Sequence, residues 1–189
     1  MRKLAQELDT GAASLYVYVK NRDDLLTAML DEALAEVPLP TSRRGPWQKR
    51  LASLVEASID AMARHQGLAL VALGGVPTGL NALLILDRVI ALLKEAGLDD
   101  ATISWAVDLL HLYVTATAAE QSAYNDKEAL GQTEADNLQN ADEHFASLPA
   151  DRYPMIVAMR EQLLAGSGDQ RARWALKVLL NGILSTLAE

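Results

Sequence analysis

The chain has 189 residues, half of them apolar, with no cysteine and a formal net charge of −8. That length and apolar share can fill one large core, or a small head and a larger body; the lack of cysteine excludes disulfides and thiolate metal sites. No uninterrupted apolar run reaches the roughly 18 residues of a membrane span, and no basic-then-apolar leader precedes a cleavage site, so a soluble, cytoplasmic protein is expected. An acidic total argues against a nucleic-acid partner only if the charge is evenly spread. It is not: residues 1 to 22 carry Arg2, Lys3, Lys20 and Arg22 against Glu7 and Asp9, a balance of +2, which leaves −10 for the rest.

In chain order, Leu4, Ala5 and Leu8 fall on one face of a helix, and the chain must reverse within Asp9, Thr10 and Gly11 before Leu15 and Val19 form a second apolar stripe. Two helices joined by so short a turn make a helix-turn-helix. Such a turn usually needs a residue at positive φ, which Asp9 tolerates, and Thr10 is expected to cap the helix that follows. That second helix opens with small residues, Ala12, Ala13 and Ser14, which let it enter a major groove. Tyr16 and Tyr18 follow, with Lys20 and Arg22 just past the helix end; basic and hydroxyl groups at the edges of such a helix suit phosphates. Asn21 with Asp24 starts a third helix, with Leu25, Leu26, Met29, Leu30 and Ala33 on its buried face.

Pro38, Pro40 and Gly45-Pro46 mark a linker, which predicts a head over 1–37 and a body over 47–189. The body reads as helices from Trp47 to about Arg64, from Leu80 to Ala96, from Asp99 or Asp100 to about Asn125, from Pro154 to Ala165 and from Gln170 to Leu187. Gly67 to Leu73 is short and apolar, and a glycine-rich loop runs from Gly74 to Gly79. Residues Asp126 to Ser147 read as a solvated helix or the least ordered part. The helix around Ile103 to Ala119 is apolar almost all round and is expected to be buried on more than one side. It and the last helix, with Leu176, Leu180, Ile183 and Leu187 on one stripe and Ala175, Val178 and Ser185 on another, suit a four-helix bundle across a two-fold axis. The alternative is a monomeric core. No strand pattern or internal repeat is visible, so the fold is expected to be all-α.

The head, MRKLAQEL, a turn and SLYVYVKNRDDLL, resembles the DNA-binding domain of the tetracycline-repressor (TetR) family of bacterial transcriptional regulators. Leu15, Tyr16, Tyr18, Val19, Asn21 and Arg22 are the specific part. The family's usual Leu-Gly-Val turn is here Leu8-Asp9-Thr10. The family also has a helix ahead of Met1, so the sequence is expected to start inside a longer protein. By position in the family motif, Arg2, Ala12, Ala13, Ser14 and Tyr16 would face base edges, and Tyr18, Lys20 and Arg22 phosphates. The body is similar to the branch around the tetracycline repressor itself, through Pro46-Trp47-Gln48, Ala72-Leu73-Gly74-Gly75-Val76-Pro77 and Leu109-Leu110-His111. That branch holds its drug as a magnesium chelate through a histidine and an acidic residue; those positions are here Ala72 and about Ala119. Chelated tetracycline is therefore not expected, and no metal or cofactor is.

The ligand-binding candidates are Leu54, Ser58 and Met62 on one helix, Leu84 and Arg88 on the next, and Val107 and His111 on the third. Each has a plainer reading. His111 can be a satisfied core histidine, Arg88 a solvated cation and Ser58 one small polar residue in a core. His65 fits a C-terminal cap, and Trp105, near Asp108, a packing anchor. No nucleophile-and-base spacing, metal cluster or phosphate-cradling loop is present, so an enzyme is not expected. The resemblance implies a dimeric repressor that leaves operator DNA when a small molecule binds; the alternative is a helical carrier or cofactor-free enzyme with a vestigial head.

Overall fold

The computed structural model describes residues 1–40 and 44–186, and at Ala12 the backbone alone. Among these residues there are eleven helices and no strand. The chain divides into two compact units, Met1–Ala119 and Glu120–Glu189.

The first unit opens with α1, Arg2–Glu7, α2, Ala12–Leu15, and α3, Arg22–Leu34. Helix α1 closes in a Schellman turn: the amide of Asp9 donates to Gln6 O at 3.2 Å and that of Thr10 to Ala5 O at 2.9 Å. The turn needs a left-handed residue, and Asp9 supplies it at φ 48°. The capping role expected of Thr10 is not seen. Thr10 belongs to the turn that ends α1, one residue too early, and the N-cap of α2 is Gly11, without a side-chain bond. Helix α2 is also shorter than the apolar stripe to Val19 suggests. Val17, Tyr18 and Val19 are β-branched or aromatic and favour helix poorly, and the chain leaves α2 in a turn closed by Val19 N on Leu15 O.

Asn21 does cap α3, its side chain accepting from Asp24 N at 2.8 Å, while Asp24 Oδ2 accepts the amide of Lys20 at 2.9 Å. The buried residues are Ala33, Leu34 and, beyond the helix, Val37. Met29 lies at the edge of that face and is exposed, contrary to the expectation from its spacing. Helix α4, Trp47–Ala63, buries Leu51, Leu54, Val55, Ser58, Ile59 and Met62, the set its 3.6-residue period picks out. Then follow α5, Leu68–Leu73, entered through Gly67 at φ 83°, α6, Leu80–Glu95, ended by Gly97 at φ 87°, and α7, Asp100–Ala129. Helix α3 packs on α4, α5 and α6, and an ion pair of Arg50 with Glu95 joins α4 to α6.

Helix α7 differs from its expectation. Ile103, Ala106, Leu110, Thr115 and Ala118 are buried, but Trp105, Leu109 and Leu112, on the opposite stripe, are exposed, Trp105 by 74%. Within one chain, its apolar surface is covered on one side only.

The second unit holds the end of α7, then α8, Glu134–Ala146, α9, Pro154–Ala158, α10, Arg160–Leu164, and α11, Gly168–Ser185. Helix α8 buries no residue, as its polarity suggests, and starts in a capping box of Thr133 with Asp136. The single helix expected from Pro154 to Ala165 is broken at Met159, whose φ of −106° leaves the helical region. Arg160 pairs with Asp142 at 3.0 Å, tying α10 to α8. In α11 Leu176, Leu180 and Ile183 are buried and Trp174 and Val178 are exposed; Leu187 lies outside the described residues.

Candidate functional site

Two surfaces of the first unit hold the residues singled out in the sequence. On the head, Arg2, Ala13, Ser14, Tyr16, Tyr18, Lys20 and Arg22 are all exposed. Tyr18, at 85%, has almost nothing of its own chain against it. An aromatic residue that exposed after a four-residue helix has no packing role to explain it. Of Ala12 the side chain lies outside the description.

Behind the head is a cavity of about 580 Å³. Five helices line it. Thr27, Leu30, Asp31 and Leu34 come from α3, Leu54, Val55, Ser58 and Met62 from α4, and Val71 and Ala72 from α5. Ala82, Ile85, Leu86 and Val89 come from α6, and Val107, Asp108, Leu110, His111, Val114 and Thr115 from α7, with the loop 74–79 at one side. The size and the apolar lining with a few polar groups are those of a small-molecule site.

Of the sequence candidates, Leu54, Ser58, Met62, Val107 and His111 are brought together here, whereas Leu84 and Arg88 are not. The cavity face of α6 is Ala82, Ile85, Leu86 and Val89, spaced by three and four residues. Leu84 and Arg88 sit on the far side of the same helix, with Leu84 half exposed. Arg88 Nε is buried and finds no acceptor among the described residues.

His111 combines both readings given to it. Its ring lines the cavity, and Nε2 donates to the carbonyl of Ala72 at 3.1 Å, joining α7 to the end of α5. Ser58 and Thr115 are buried with their hydroxyls on main-chain carbonyls one turn back, Leu54 O at 2.7 Å and His111 O at 2.8 Å.

Asp31 was missed. The N-cap of α6 is Gly79, which has no side chain to cap the helix, and Asp31 reaches across from α3 instead. Its Oδ1 accepts from Ala82 N at 3.0 Å and its Oδ2 from Asn81 Nδ2 at 3.2 Å, and Asn81 Nδ2 also donates to Asp31 O at 3.1 Å. The carboxylate occupies the space a side chain at residue 79 would need, since a Cβ there would lie 2.1 Å from Asp31 Oδ1. The one sequence signal for this is negative: a helix start without Ser, Thr, Asp or Asn at its N-cap needs an acceptor from elsewhere.

Comparison with known proteins adds the family. The Tetracyclin repressor-like, C-terminal domain matches residues 39–187. The chain belongs to the TetR family.

Its TetR-family relatives include the HTH-type transcriptional repressor DrrR1 of Streptomyces coeruleorubidus, 28% identical over 95% of this chain and 70% of the relative. An HTH-type transcriptional regulator of Saccharopolyspora erythraea is 29% identical over 98% of this chain and 76% of the relative. Among solved structures, the Streptomyces coelicolor TetR family protein ActR in complex with actinorhodin is 34% identical, with a TM-score of 0.86 over 100% of this chain and 88% of that one. The TetR chain described here is therefore similar along its whole length to DNA-binding transcriptional regulators. Regulators of this type bind operator DNA and small molecules and act as dimers. The described residues contain no helix long and apolar enough to cross a membrane.

Proposed function

We propose that the protein is a ligand-released repressor: the head formed by α1 and α2 binds operator DNA, and a small molecule in the cavity lowers that affinity. One observation carries the reading. Helix α3, which follows directly from the head, is also a wall of the cavity, through Thr27, Leu30, Asp31 and Leu34. A ligand there touches the helix that holds the head, so it can favour one head position over another, as a shift in affinity requires.

The division into a head over 1–37 and a body over 47–189 is on this reading functional, with α3 shared between the two. Arg2, Ala12, Ala13, Ser14 and Tyr16 are assigned to base edges, and Tyr18, Lys20 and Arg22 to phosphates. Leu54, Ser58, Met62, Val107 and His111 are assigned to the ligand. No catalytic activity is assigned, in keeping with relatives named as regulators.

A dimer formed by α7 and α11 completes the reading, because two heads must meet half-sites about 34–36 Å apart. It is supported by Trp105, Leu109 and Leu112 on α7 and by Trp174 and Val178 on α11, apolar side chains that their own chain leaves exposed. ActR in complex with actinorhodin supports a small molecule as effector.

The test is a mobility shift on the DNA upstream of the protein's own gene, at several salt concentrations. Binding that weakens with salt and is released by a compound that also raises the melting temperature is the expected result. A protein that takes up a ligand but binds no DNA at low salt would instead be a carrier.

A further inference from the structure

The hydrogen-bonding inventory of the cavity limits what its occupant can be, granted the reading above that a small molecule binds there. Four side-chain donors line it from the helices, and each is committed to a main-chain carbonyl. Thr27 Oγ1 donates to Asp23 O at 2.9 Å, Ser58 Oγ to Leu54 O at 2.7 Å, Thr115 Oγ1 to His111 O at 2.8 Å and His111 Nε2 to Ala72 O at 3.1 Å. A carbonyl can only accept, so the His111 proton is on Nε2, and in the neutral ring Nδ1 remains as an acceptor. The three hydroxyls are likewise left with oxygen lone pairs.

The ionisable side chains besides His111 are Asp31 and Asp108, both acceptors when ionised, and among the described residues no lysine or arginine lines the cavity. Asp31 already serves the start of α6. Asp108 is exposed at the rim and free to receive a donor. The remaining polar lining, Thr78 and the main chain of the loop 74–79, is largely exposed, so water can satisfy it.

We infer that the occupant is a large, mainly apolar molecule that presents hydrogen-bond donors, hydroxyl or ammonium groups, and carries no carboxylate, sulfate or phosphate. An anion would face two carboxylates, Asp31 inside and Asp108 on the exposed rim, with no lysine or arginine and few free donors to receive it. A hydroxylated or amine-bearing polycycle meets acceptors at His111, Ser58 and Thr115 in the depth and at Asp108 on the rim.

The test uses rigid scaffolds of increasing size, naphthalene, anthraquinone and estrane, each as the diol, the dimethyl ether and the dicarboxylate, titrated into the full chain by calorimetry. The diol of at least one scaffold is expected to bind about tenfold more tightly than its ether, with the dicarboxylate weakest. Ethers that match the diols, or dicarboxylates that exceed them, would overturn the inference and leave the cavity standing as a ligand site. No heat from any compound at millimolar concentration would instead overturn the reading of the cavity itself. The variant Asp108→Lys, a change at an exposed position, should weaken the diols and strengthen the dicarboxylates; an unaltered ranking counts against the inference.

Discussion

Asp31 caps a helix that lies 51 residues further along the chain: its Oδ1 accepts the amide of Ala82 at 3.0 Å, the bond that the N-cap of α6 would make had it a side chain. The carboxylate also faces the positive end of the helix dipole. One bond set thus joins the helix leaving the head to the helix that walls the cavity.

The stability prediction follows from geometry. Asp31→Ala should cost about 1 kcal/mol, the usual loss for an N-cap, and lower the melting temperature by about 2–4 °C. Gly79→Ala should also destabilise, because the new Cβ meets Asp31 Oδ1 at 2.1 Å. In an Asp31→Gly background the Oδ1, the Cγ and the Cβ that would lie 2.7 Å away are all gone and the backbone at residue 79, φ −71°, suits alanine, so the same change should be nearly neutral. Additive losses in thermal melts of the four proteins would rule the contact out.

The same pair separates stability from signalling. Asp31→Gly with Gly79→Ser moves the cap into α6 itself, where the serine can accept from Ala82 N and no Cβ at residue 31 crowds it. The melting temperature should exceed that of Asp31→Gly alone while the effector's influence on operator affinity shrinks. Mobility shifts with and without effector measure it, and full retention of the response would show that Asp31 has no part in coupling.

On the head, Lys20→Ala should weaken binding alike on all operator variants and reduce the salt slope by about 1, whereas Tyr16→Ala should also change which operator is preferred. A panel of operators titrated at fixed and at varied salt distinguishes the two; parallel losses for both variants would refute the assignment of Tyr16 to base edges.

Leu109→Glu places a charge on the exposed stripe of α7, at a side chain that its own chain leaves half exposed. Sedimentation should show monomers with an unchanged helical content and operator binding should fall steeply. A dimer that persists at micromolar concentration would move the interface elsewhere.

Two carboxylates give a pH signature. Hydrogen bonds from the amide of Thr102, then from its hydroxyl, hold the Asp99 carboxyl below its ordinary range, and those from the hydroxyl and the amide of Thr133 do the same for Asp136. A lowered folded-state value means the stabilisation is present above the unfolded pKa and lost as the pH falls through the folded one. The first turns of α7 and α8 should therefore fray below about pH 4. Amide exchange measures this, and in Asp136→Ala the α8 amides should exchange fast with no such pH step.

The head was the most legible part of the fold, because Asp9 and Asn21 act through bonds to residues within four positions, which the sequence displays. The buried face of α4 was legible for a related reason: its apolar residues recur on one face and polar ones fill the rest. Helix α6 lacks that contrast. Leucine, isoleucine and valine occur on several of its faces, so the period could not tell that Ile85 and Val89, and not Leu84, look into the cavity. Asp31 was hidden because the helix it caps is distant in sequence and offers only an absence, Gly79, as a sign. Thr10 shows the opposite error: a residue fit for capping stood next to a helix but was already used by the one before.

Helix α3 is also a lever arm. Its 13 residues span about 18 Å from Arg22 to Leu34, and of the residues that face the cavity all but Thr27 sit in the half remote from the head. A tilt of about 5° pivoting near Leu34 would therefore carry Arg22 sideways by about 1.6 Å, half the length of a hydrogen bond. An occupant need only lean on this rod to pull fingertips off phosphates.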